Sequence, residues 1–144
     1  MGLKLIQDLL ISNKVIISPR EKITVSATAA NGTINFDCLT NSVVYYTSNA
    51  SANWTLNIRG NANNTFDSVT RIGESFTIAF AVTNGSTPYR QTGFTIDGTS
   101  VTPKWQGGTA PAAGNASSID VYTINVIKTA ATTYTVLESL TKFA

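Results

Sequence analysis

Two carboxylates held about five to ten ångströms apart are enough to hydrolyse a glycosidic bond, so the acids are the first residues to weigh for chemistry. The candidates are Asp37, Asp67, Glu74, Asp97, Asp120 and Glu138. Asp97 precedes Gly98 in turn-like sequence, where a short carboxylate bonds its own backbone, and Asp67 and Asp120 sit at the edges of candidate strands. This pattern favours turn and edge roles over an acid/base pair. Histidine is absent from all 144 residues, which removes the commonest general base, metal ligand and triad member together. No Gly-rich phosphate loop, Cys/His ligand spacing or nucleophile elbow occurs. The expectation is therefore a chain without catalytic residues, metal or cofactor. The lone Cys38 ends the alternating run Ile34-Asn35-Phe36-Asp37-Cys38 and reads as a buried structural thiol.

Aromatic side chains are the second chemistry-bearing group. A sugar ring stacks on a Trp or Tyr face, and a weakly charged, amide-rich rim bonds its hydroxyls. Trp105 is the leading candidate, because it stands between Pro103-Lys104 and the flexible Gln106-Gly107-Gly108. Gln106 and Tyr89 accompany it as candidate ligand contacts. The competing reading makes Trp105 a plug at the end of a sandwich. Trp54 reads as core, and the adjacent Tyr45 and Tyr46 point to opposite faces.

A third group lies at the N-terminus. Leu3, Ile6 and Leu10, with Leu5 and Leu9 alongside, follow the spacing of a short amphipathic helix over residues 3–11, and Val15 to Ile17 is a small extended run before Ser18-Pro19. A helix this short is unstable alone, so the segment is an arm in need of a surface. Leu3, Ile6, Leu9, Leu10, Val15 and Ile17 are the candidate docking residues, laid into a partner or a sister subunit; the alternative is an arm folded back over its own sheet. Asp8 and the shortness of the apolar run argue against a signal peptide or a membrane span, and two lysines are too few for a membrane-surface helix.

From residue 22 the period becomes two. Trp54, Leu56 and Ile58 alternate with Thr55, Asn57 and Arg59, and Phe76, Ile78, Phe80 and Val82 alternate with small or polar residues. Gly60-Asn61, Asn84-Gly85, Asp97-Gly98 and Gly107-Gly108 punctuate the runs at roughly ten-residue spacing. Asn31-Gly32 between two short runs predicts a hairpin. The stretch 107–118 reads as a long surface loop, residues 129–132 as a hairpin loop, and Phe143 as a pin for the C-terminus. The fold class expected is all-β, an antiparallel sandwich, jelly-roll-like or immunoglobulin-like, of about eight or nine strands. The division is an arm over residues 1–21 and one domain over 22–144.

Only 12% of the residues are charged and the net charge of +2 is scattered, so no electrostatic footprint for nucleic acid is present. Six N-x-[ST] sequons, at Asn31, Asn49, Asn53, Asn63, Asn84 and Asn115, follow from a chain rich in Asn, Ser and Thr.

From about Ala29 to Ala144 the chain resembles a β-rich domain that recurs in virion structural proteins of tailed bacteriophages, particularly marine and cyanobacterial ones. The resemblance is carried by Gly32-Thr-Ile-Asn-Phe-Asp37, by Val44-Tyr-Tyr-Thr47 leading to Trp54-Thr-Leu-Asn-Ile-Arg-Gly60, and by Val82-Thr-Asn-Gly85. It is clearest in Ile96-Asp-Gly-Thr-Ser-Val-Thr-Pro-Lys-Trp-Gln-Gly-Gly-Thr-Ala-Pro111, in Gly114-Asn-Ala-Ser-Ser-Ile-Asp-Val-Tyr-Thr123 and in the ending Leu140-Thr-Lys-Phe-Ala144. What it implies is a non-enzymatic appendage or decoration subunit, located in the virion after synthesis in the host cytoplasm. Its partners would be other virion proteins of the capsid, neck or tail and further copies of itself, as trimers by analogy with phage appendages. Nucleic acid and membrane are not expected partners, and a host-surface glycan is the alternative ligand of a tail-fibre-like tip.

Overall fold

The structure, a computed structural model, describes residues 20, 21 and 23–144. The docking residues expected in the arm, Leu3, Ile6, Leu9, Leu10, Val15 and Ile17, lie outside the described residues. The period-two runs form ten strands: β1 (Thr24–Ala29), β2 (Gly32–Asp37), β3 (Val43–Ser48), β4 (Trp54–Arg59), β5 (Ser75–Asn84), β6 (Gln91–Ile96), β7 (Thr99–Ser100), β8 (Lys104–Trp105), β9 (Ser118–Ala130) and β10 (Thr133–Phe143). One sheet has the order β1-β3-β5-β9-β10-β8 and the other β2-β4-β6-β7. The all-β, two-sheet expectation holds, and the extra strands over the expected eight or nine include the two-residue β7 and β8.

The winding departs from the antiparallel expectation. Strands β1, β3 and β5 are parallel to one another in the larger sheet, and β2, β4 and β6 are parallel in the smaller. Up to β6 the chain thus alternates between sheets at every step, as a short solenoid does. Asn31-Gly32 marks a corner between sheets and not a hairpin. Gly32 does take a positive φ of 56°, but the corner's backbone bonds to the next coil, with Ser51 N–H donating to the Ala30 carbonyl. Period-two patterning assigns each residue to a face; it does not name the neighbouring strand. Antiparallel pairing appears between β5 and β9, between β9 and β10, and between β6 and β7. The β6–β7 turn is the Asp97-Gly98 pair, both at positive φ as a tight hairpin requires.

Parallel registration stacks like on like. Ile34, Leu56 and Phe94 align across the small sheet, as do Phe36, Ile58 and Ile96, and all six are buried. On the opposite face Asn35, Asn57 and Thr95 align. Asn57 Nδ2 donates to Asn35 Oδ1 at 2.8 Å, and Thr95 Oγ1 donates to Asn57 Oδ1 at 2.7 Å. An extra residue in β6 lies between the pairs Trp54 with Gln91 and Thr55 with Gly93, a bulge that turns Gln91 into the interior. Gly93 is needed there, since a Cβ would stand 2.4 Å from Thr55 Oγ1.

The one helix among the described residues, α1 (Phe66–Val69), falls where the sequence suggested only a strand edge. Four residues are too few to display a helical period. It is held from outside: Thr65 Oγ1 accepts from Ser68 N–H, and the Asp97 carboxylate accepts from the N–H groups of Phe66 and Asp67.

Asn57 is 8% exposed and also accepts from Gly98 N–H, so its amide serves three partners. Asn57→Ala is expected to cost about 1–3 kcal/mol, because it strands the Gly98 N–H and the Asn35 and Thr95 side chains. Asn35→Ala, which removes one acceptor on the edge strand, should cost less than half as much in urea titration.

Candidate functional site

Each acid raised as a catalytic candidate has a definite place. Asp37 pairs with Arg59, Nε to Oδ1 at 2.6 Å, across the register pair that joins β2 to β4. Asp67 accepts from the Lys128 ammonium, the Tyr134 hydroxyl and the Thr132 N–H, each at 2.8 Å, and these contacts lower its pKa to about 2. Lys128, buried at 5% exposure, also donates to the Asp67 and Thr70 carbonyls and so ties the α1 loop to the β9–β10 hairpin. Asp97 caps α1, and Glu74 accepts from Arg71 N–H. Asp120 is wholly buried and fully partnered. Asn84 Nδ2, Asn115 N–H and Asn115 Nδ2 all donate to it, fastening the long 109–117 loop to the sandwich. Gly114 completes that fastening, because a Cβ there would meet the Tyr89 carbonyl oxygen at 2.1 Å.

Glu138 is the exception. It projects inward from β10 at 3% exposure, and neither carboxyl oxygen has a hydrogen-bond partner among the described residues. Gln91 approaches it, which pulls its pKa slightly down, but not in hydrogen-bonding geometry; Gln91 Oε1 is likewise unpartnered. Burial dominates and raises the Glu138 pKa to about 8. Trp54 Nε1, on the residue paired with Gln91, is unpartnered too. The unsatisfied buried polar atoms of the described residues thus belong to Trp54, Gln91 and Glu138. Tyr122 joins this group: its hydroxyl accepts from Gln91 N–H at 3.2 Å, and burial raises its pKa.

Trp105 closes this end of the sandwich. It is paired with Glu138 through β8 and β10, and its ring meets Tyr122 edge-on at 6.4 Å. Half-buried, it also forms one wall of a cleft of about 240 Å³ lined by Arg90, Gln91, Thr92, Ser100 and Thr102. Both sequence readings of Trp105 therefore describe part of its position. Gln106 opens a tight turn after it and borders a separate depression with Lys104, Leu137 and Ser139. Tyr89 does not line the cleft; its backbone N–H donates to Asn84 and its ring packs on the core. Gln91 was not singled out from sequence, and Glu138 was weighed only as one of six acids, although a signal for its burial exists. Glu138 shares the alternate positions of Val136 and Leu140, which places it on the core face of its strand.

Cys38, just beyond β2, is half-buried beside Leu39, Phe66 and Phe76. Burial pushes its thiol up to about 11, in line with a structural role. Among the described residues there is no group of three or more His, Cys, Asp or Glu side chains that could hold a metal ion, and no helix long and apolar enough to cross a membrane. Comparison with family models, curated proteins and solved structures finds no match.

Two outcomes follow. A carboxyl whose pKa is raised on folding binds more protons in the native state, so stability from Glu138 is fully present below its unfolded value of 4.5 and declines as pH rises to about 8. Glu138→Gln should flatten that decline and, at pH 8, stabilise the chain by on the order of 2–3 kcal/mol in chemical denaturation. A wild-type curve with no loss between pH 5 and 8 would exclude a protonated Glu138. For Cys38, thiolate-selective alkylation at pH 8 should run roughly 100-fold slower in the folded than in the unfolded chain.

Proposed function

We propose that this chain is a non-enzymatic structural subunit of a tailed-phage virion, an appendage or decoration protein whose sandwich is the displayed body and whose residues 1–21 are the docking arm. The resemblance of residues 29–144 supplies the biological setting. The single structural observation that supports an assembly role is how the candidate acids are engaged. Five of the six are engaged in caps, ion pairs or loop fastenings, and the sixth, Glu138, is buried in the interior. Such side chains hold a shape. A body of this kind, with its polar groups turned inward to fix loops, offers surfaces for packing rather than a reaction centre.

A second reading has its own support. The cleft beside Trp105 joins an aromatic ring to the Arg90 guanidinium and the hydroxyls of Thr92, Ser100 and Thr102. Aromatic face, guanidinium and hydroxyls together suit a saccharide, which would make the chain a glycan-binding module on the same particle.

Mass spectrometry of gradient-purified particles should find the chain at a fixed copy number. Polar substitution of Leu3, Ile6 and Leu10 should leave the sandwich folded and abolish incorporation; incorporation at the wild-type level would remove the docking role of the arm. For the second reading, glycan binding that survives Trp105→Ala, or no binding across a glycan array, would eliminate the cleft as a receptor site.

A further inference from the structure

We propose that the outer face of the six-stranded sheet is a self-association surface on which two copies of this chain pack face to face about a two-fold axis. The proposal goes beyond the virion reading, does not rest on it, and sets a two-fold pair in place of the trimer that the resemblance implies. Side chains alternate along a strand, and on β1, β3, β5, β9 and β10 the even-numbered positions face the other sheet, as buried Val44, Phe80, Tyr122 and Val136 show. Every charged residue on these five strands, Asp120, Lys128, Glu138 and Lys142, is even-numbered. The odd-numbered outer face therefore carries no charge at all. Lys104, on the marginal β8, is the nearest exception.

A solvated sheet face normally alternates apolar-in with charged or strongly polar residues out. Here an apolar row crosses the sheet in register, from Val25 to Tyr45, Ala81 and Val121. Beside it Ile119 pairs with Phe143. Val25 and Phe143 are 60% and 56% exposed. Phe143, expected from sequence to pin the C-terminus, instead stands out from this face at the end of β10. Tyr45 lies along this face, its hydroxyl accepting from Thr83 Oγ1 at 3.2 Å, whereas Phe143 protrudes from it.

Size selects the occupant. With strands about 4.8 Å apart and same-face residues about 6.8 Å apart, some twenty outward positions cover on the order of 650 Å². The stretch expected from sequence to be helical, residues 3–11, would be about 13 Å long and 10 Å wide and would cover only part of that. A second copy of the same face matches it in extent and approaches the roughly 800 Å² per partner of a standard interface. Identical charge-free faces also meet without like-charge repulsion, and sheets of this kind pack about 10 Å apart.

The test is the mass of the full chain by sedimentation equilibrium, with folding monitored by near-ultraviolet circular dichroism. Wild type should be a dimer at micromolar concentration. Ala81→Lys and, separately, Val121→Lys should weaken association by at least about 100-fold, since each buries an unpaired charge at the centre of the contact. Thr33→Lys, on the outer face of the other sheet, should remain dimeric. A monomeric wild type, a trimer, or a dimer that survives both folded lysine variants would overturn the proposal. So would a dimer that Ile6→Asp with Leu10→Asp dissociates while Ala81→Lys does not, which would give the contact to the arm. If one lysine variant fails to fold, the other decides.

Discussion

The sandwich depends on one contact between its sheets, the edge-on approach of Trp54 to Tyr122 at 5.8 Å, with Phe80 tilted against the same indole at 6.2 Å. Trp54 belongs to the small sheet, Phe80 and Tyr122 to the large one, and all three are at most 1% exposed. Aromatic rings of this size dominate the apolar area removed from water, and edge-on geometry adds a directional term. They also set the spacing at which smaller residues such as Ile58, Ile78 and Ile124 fill the remaining layer. Once Trp54 is placed, Gln91 must sit beside it in the next coil, because β4 and β6 are registered there.

That placement explains why the polar tension of the molecule collects at one end. The bulge in β6 turns Gln91 inward, and Glu138 approaches it from β10. Neither group finds a full set of partners, and burial shifts Glu138 toward its neutral form. At the opposite end the reverse holds. Lys128, Asp67, Tyr134 and Asp97 form a saturated network that anchors α1, and the ring of Phe66 fills the space beneath, against Tyr134 at 5.6 Å. The Trp105 end combines its unsatisfied interior with a fastened loop, since Asp120 holds Asn84 and Asn115 there.

Turning the charged residues of the long strands inward has a second effect, on the outside. The contacts by which Asp120 and Lys128 fasten loops keep two charges off the outer face of the six-stranded sheet. The same choice that lets Asp120 hold the 109–117 loop leaves β9 with a neutral exterior. Internal fastening and a packable exterior are thus two consequences of one alternation.

Period-two alternation in residues 54–58, 76–82 and 119–128 was sufficient to assign strands, faces and most of the core, because face is a local property of a pleated backbone. The Asp97-Gly98 hairpin was legible for the same reason: its positive φ angles are a demand on two adjacent residues. The burial of Trp54 also followed from local pattern, whereas Cys38, expected to be buried, is half-buried just beyond the end of β2. Strand partners did not. Asn31-Gly32 serves equally as a hairpin or as a corner, and only long-range bonding between coils makes it a corner. Helix α1 is fastened by Asp97, thirty residues away, and its only local signature is the Thr65 cap over four residues. The approach of Gln91 to Glu138 depends on a bulge and on contact between different sheets. Sequence by itself determined which side chains lie inside each strand; tertiary structure decided which strands adjoin, and with that which buried polar groups meet.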